Sequence, residues 1–112
     1  MNLFVRSSNV PLTQPIRTYI DRRVRMVLGR FGRKLARVSV RISDVNGPRG
    51  GVDKLCRIEA RFWGRLPLVV EDVAGDLPQA IDRSIRRMGR AAARVAARRL
   101  EMPRDLSFDL RA

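Results

Sequence analysis

The sequence predicts an α+β domain of order β-α-β-β-β-α, with four strands in one mixed sheet and two helices packed on one face of it. Three observations predict this. Two long stretches carry apolar residues at three- and four-residue spacing, three shorter stretches alternate apolar with polar residues, and a further short apolar run lies at Leu68–Val70. The links among the last three strands are too short for a crossover, so those strands form an antiparallel meander. A chain of 112 residues suits one domain, read here as 1–102 with a short tail at 103–112.

In chain order, Leu3, Val5 and Ser7 alternate with Phe4 and Arg6, a first strand broken at Asn9 to Pro11. Thr13 is a helix cap, and Pro15 sits in the first turn, where a missing N–H costs little. Ile16, Tyr19, Ile20, Val27, Leu28 and Phe31 then mark an amphipathic helix over about 14–31, stopped by Gly32. Ala36, Val38, Val40 and Ile42 form the buried side of a second strand, opposite Arg37, Ser39 and Arg41. Asn46 to Val52 reads as a loop. Cys56, Ile58, Ala60 and Phe62 are the buried side of a third strand, Gly64 and Arg65 a turn, and Leu68 to Val70 the fourth strand. Asp76 caps a second helix that runs to about Leu100 and ends before Pro103. The first strand reaches the second through a helix, so that pair is expected to be parallel with a right-handed crossover.

Charge carries most of the functional signal. Lys and Arg number 24 against 11 Asp and Glu, a net charge of +13. Such self-repulsion opposes compaction, so a polyanionic partner is its natural counterpart. Only Lys34 and Lys54 are lysines; the rest are arginines, whose planar donors suit phosphate. With one cysteine there is no intrachain disulfide. No apolar run reaches membrane-spanning length and no signal peptide is evident, so no membrane partner and a cytoplasmic location are expected.

On the second helix, Leu77, Ile81, Ser84, Met88, Ala92 and Val95 share one sector and should face the sheet. Arg83, Arg86, Arg87, Arg90 and Arg94 share a second sector away from the core, with Arg98 at its edge. Like charges four residues apart destabilise a helix by roughly 0.2–0.5 kcal/mol per pair. A face selected only for solubility would intersperse glutamate, and none occurs between Asp82 and Glu101. Arg22 and Arg25 point away from the apolar side of the first helix, Arg30 flanks it, and Lys34 follows. With few aromatics on the helices, phosphate and sugar contacts on folded RNA are the expected mode.

Little in the chain looks catalytic. There is no histidine to activate Cys56, which reads as a small core residue. Glu71, Asp72 and Asp76 read as a charged turn and a cap rather than a metal site. Trp63 reads as a side chain half covering a sheet edge. No cofactor and no small-molecule substrate are expected. Competing readings are a general double-stranded-RNA binder, an RNA-acting enzyme and an adaptor for an acidic protein.

The element order, Asp53–Phe62 (DKLCRIEARF) followed by Leu68–Asp72 (LVVED), the opening Asp76–Asp82 (DLPQAID) before an arginine-rich helix, and Thr13 with Ile16 at the first helix start resemble the ribosome hibernation promoting factor and ribosome-associated inhibitor A family. The resemblance covers roughly residues 1–100. It departs at Pro78, where the family often has an aromatic. Ending at Ala112, the chain reads as the short form, without the dimerisation domain of long members. The resemblance implies a non-enzymatic protein that docks on 16S ribosomal RNA of the small subunit, blocks messenger and transfer RNA, and inhibits translation in idle or stressed cells. It makes Arg22, Arg25, Arg30, Lys34, Arg83, Arg86, Arg87, Arg90 and Arg94 the RNA contacts. The tail, with Leu106, Phe108 and Leu110 alternating, reads as an extended contact segment.

Overall fold

A computed structural model describes residues 1–45 and 53–101, the last four of these by backbone alone. The loop at 46–52 and the tail at 103–112 lie outside the described residues. Strand β1 (Asn2–Ser8) leads into helix α1 (Gln14–Leu28), a short 3-10 segment (Gly29–Lys34) and strands β2 (Leu35–Asp44), β3 (Lys54–Phe62) and β4 (Leu68–Ala74). Helix α2 (Leu77–Glu101) completes the order β-α-β-β-β-α. The sheet order is β1-β2-β3-β4, with β1 parallel to β2 and the other pairs antiparallel, as the sequence predicts.

Both helix starts follow from local chemistry. Thr13 Oγ1 accepts from the Ile16 amide at 3.4 Å, and Asp76 Oδ1 accepts from the Gln79 amide at 2.9 Å. Each cap satisfies a first-turn N–H that has no intrahelical partner.

The core lies between one sheet face and the two helices. Val38, Val40, Ile42, Cys56, Ile58 and Ala60 from the sheet meet Ile20, Val24 and Leu28 of α1 and Ile81, Ile85, Met88 and Ala92 of α2. All six residues assigned to the inner sector of α2 are buried. Buried Ser84 satisfies its hydroxyl on its own helix, donating toward the Ala80 and Ile81 carbonyls at 2.9 and 3.0 Å.

Three boundaries differ from the sequence reading. Helix α1 ends at Leu28 rather than near 31, because Gly29 and Gly32 weaken further α-helix and the chain tightens into the 3-10 segment. Gly32 adopts φ +57°, a left-handed conformation that turns the chain into β2. In β2 an irregularity between Leu35 and Arg37 shifts the alternation, so Leu35 is buried in the place expected for Ala36. Strand β4 continues past Val70 to Ala74, placing Glu71 and Asp72 in the sheet.

Beyond β1, Asn9 extends the ladder with its side chain: its amide donates to the Asp44 carbonyl and accepts from the Asp44 N–H, both at 2.9 Å. Asn9 does this at φ +50°, a conformation that asparagine tolerates better than most residues.

Candidate nucleic-acid interface

The basic surface is built by the way α1 and α2 lie side by side. At one end Tyr19 donates its hydroxyl to Asp82, with 2.7 Å to Oδ1 and 2.9 Å to Oδ2. Arg23 joins the same carboxylate at 3.3 Å. Farther along, Gly89 lets the helices close: a Cβ built there would stand 2.8 Å from Val27 Cγ1. Between the helices runs a shallow groove with an apolar floor of Met26, Val27 and Ala93 and cationic walls of Arg30, Arg86 and Arg90. The Arg30 guanidinium is steadied over the Phe31 ring, 4.9 Å from its centroid. Phe31 in turn meets Phe62 edge-on at 5.8 Å.

All nine expected contact residues are exposed, but their local roles divide. Arg83 donates to the Val73 carbonyl at 3.1 Å, and Arg87 donates to the Glu71 carbonyl at 2.6 Å and lies 3.4 Å from Asp72 Oδ2. These two lean over the outer edge of β4 while remaining exposed. Arg25 pairs with Asp21 one turn before it, at 3.0 Å. Arg22, Arg30, Lys34, Arg86, Arg90 and Arg94 make no ion pair with a carboxylate among the described residues. The side chain of Arg98 lies outside the described residues. The α2 row is thus two rows, one on the inter-helix groove and one on the sheet edge, with Arg94 exposed beyond them.

The acidic trio has other employment. Glu71 pairs with Arg57 at 3.1 Å, Asp72 with Arg87, and Asp76 caps α2. Burial pushes the Cys56 thiol up to about 11, against a smaller lowering effect of a hydrogen bond with Ser84, which matches its reading as a core residue. Trp63 departs from its reading: it sits in the β3–β4 turn, 66% exposed, and covers little. The sequence reading missed the Asp82 clamp, because only the fold brings Tyr19 and Arg23 to it.

The fold is thus an α+β domain with one sheet face covered by two helices, whose outer sides carry cations without carboxylate partners among the described residues. Residues 3–100 match the family model described as sigma 54 modulation protein / S30EA ribosomal protein, and the chain belongs to that family. This bears out the hibernation-factor resemblance. The N-terminal domain of Thermus thermophilus Protein Y superposes with a TM-score of 0.71 at 24% identity, covering 85% of this chain and 99% of that one. A ribosomal subunit interface protein from Coxiella burnetii gives 0.75 at 9% identity, covering 87% and 99%. At these identities the two likenesses speak to fold. No curated protein sequence matches the chain significantly.

Proposed function

We propose that this protein is a non-enzymatic, cytoplasmic translation inhibitor. It docks on 16S ribosomal RNA of the small subunit through the outer side of α1 and α2 and occupies space needed by messenger and transfer RNA. The observation that carries this reading is the groove: Arg30 from the 3-10 segment after α1 and Arg86 and Arg90 from α2 converge on it without a carboxylate partner among the described residues. Unpaired guanidinium groups held on a rigid helix pair are pre-arranged for phosphate. Family membership supports the choice of the ribosome over other polyanions. Arg22, Arg25, Lys34, Arg83, Arg87 and Arg94 extend the contact on either side, with Arg83 and Arg87 retaining donors beyond those given to β4.

Pelleting with purified small subunits tests this. Arg86→Glu with Arg90→Glu is expected to abolish co-sedimentation and to relieve inhibition of cell-free translation, with an unchanged circular dichroism spectrum. Full co-sedimentation by the folded double variant refutes the groove as the contact. Equal affinity for a generic RNA duplex would instead favour a general double-stranded-RNA binder.

A further inference from the structure

The sheet face opposite the helices is uncovered among the described residues, and it is not a neutral back. The registers place three arginines abreast: Arg6 lies beside Arg41 across the β1–β2 pair, and Arg41 beside Arg57 across β2–β3. A second like pair, Arg37 beside Arg61, lies farther along the same strands. Like charges directly opposite one another destabilise a sheet, so stability alone does not account for this arrangement. Glu71 takes up Arg57 at 3.1 Å and Glu59 reaches Arg61 at 3.5 Å. Arg6 and Arg41 have no carboxylate partner among the described residues.

The same face carries a flat stacking surface. Phe4 is 44% exposed, and the Arg37 guanidinium lies over its ring, 4.7 Å from the centroid. The pair and the arginine row bound one shallow basin of about 360 Å³, whose lining also includes Ser39, Val40 and Glu59, the last with its carboxylate turned to Arg61. Neighbouring strands are about 4.8 Å apart, so the row from Arg6 to Arg57 spans roughly 10 Å, room for two successive phosphates. Planar aromatic and guanidinium groups are stacking partners for unpaired bases, whereas an RNA duplex hides its base faces and is met through its minor groove.

We propose that this helix-free face is a second RNA-binding surface, which takes a short single-stranded segment with its phosphates along Arg6 and Arg41 and a base stacked at the Phe4–Arg37 pair. The domain then holds RNA on both sides, structured RNA on the helices and an unpaired strand on the sheet. This goes beyond the helix-face reading and can fail independently of it.

Fluorescence anisotropy with a labelled 12-nucleotide oligouridylate tests the proposal on three full-length proteins. These are the unaltered chain, Arg6→Ala with Arg41→Ala, and Phe4→Leu, which keeps apolar cover but loses the aromatic plane. The double variant is expected to weaken binding roughly tenfold and to reduce the log K against log salt slope by about 1.4, two contacts at 0.7 each. Phe4→Leu is expected to weaken binding several-fold with the slope unchanged. The charge variant should melt no lower than the unaltered protein, since it removes a repulsion, and circular dichroism confirms that Phe4→Leu is folded at the assay temperature. Unchanged oligouridylate affinity in the folded variants overturns the proposal. So does competition by polyglutamate as effective as that by the oligonucleotide, which would assign the face to an acidic protein. Loss of subunit pelleting in the Arg86→Glu, Arg90→Glu protein reads the helix face, and oligouridylate affinity of the Arg6→Ala, Arg41→Ala protein reads the sheet face, so either reading can fall while the other stands.

Discussion

Asp82 shows how one side chain fixes the placement of a whole surface. Its carboxylate receives Tyr19 and Arg23 from α1, and the Tyr19 hydroxyl is correspondingly raised above its ordinary 10.0, chiefly by that hydrogen bond. Cys56 is raised by burial from 9.0 to about 11, and Lys54 is raised above 10.5, chiefly by its hydrogen bond to Asp53. All three hold their protons more tightly when folded than when unfolded. Their contribution is therefore complete below the unfolded values and is lost as pH rises past them. The melting temperature should be level up to about pH 9 and fall between pH 9 and 11, with a shallower fall in Cys56→Ala over the first part of that window. A flat curve to pH 11 would contradict the assignment. The sequence showed that Cys56 lies on an apolar strand face; it held no sign that Asp82 would receive Tyr19, because a contact across 63 positions has no local pattern.

At the scale of elements, periodicity located three strands and both helices, since each buries one face and so carries a period, and the fourth strand was legible from the apolar run Leu68–Val70 after a turn. The ends were less legible, because they depend on glycine geometry and on a strand irregularity rather than on a repeat. The arginine row on α2 was legible as a row; its division into groove and edge partners was not, because that depends on where α1 and β4 lie. Gly89 is the joint of the helix pair. Gly89→Ala should gain up to about 1 kcal/mol of helix propensity, yet its methyl meets the stiff Val27 side chain at 2.8 Å. Overpacking of this kind costs about 1–3 kcal/mol, so net destabilisation is expected in urea unfolding. Adding Val27→Ala should recover part of it. An outright gain in the single variant would mean that the helices part without strain.

Across the whole molecule, the net charge of +13 pointed to a polyanionic partner from composition alone, and the sequence motifs pointed to the family. Neither could show that cations occupy two opposed surfaces, because the assignment of Arg6, Arg41 and Arg57 to one row depends on strand register. Affinity for small subunits should fall steeply with KCl. With about six phosphates neutralised, log K should decline against log salt with a slope of roughly −4 to −5. A slope near zero would remove electrostatics as the basis of binding.

The guanidinium groups over β4 also bear on how copies of the chain can join. Arg83 and Arg87 occupy the outward carbonyls of Val73 and Glu71, and the Asp72 side chain accepts from the Val73 N–H at 3.1 Å. A fibre of stacked sheets needs two receptive margins on every copy, one to give and one to receive. Here the 71–73 stretch of the β4 margin is occupied by the protein's own side chains, which leaves less of that edge than of β1 open to a further strand. A union of β1 with β1 is symmetric and closes on itself at two copies, whereas growth into a fibre would also have to displace the arginines that lie over β4.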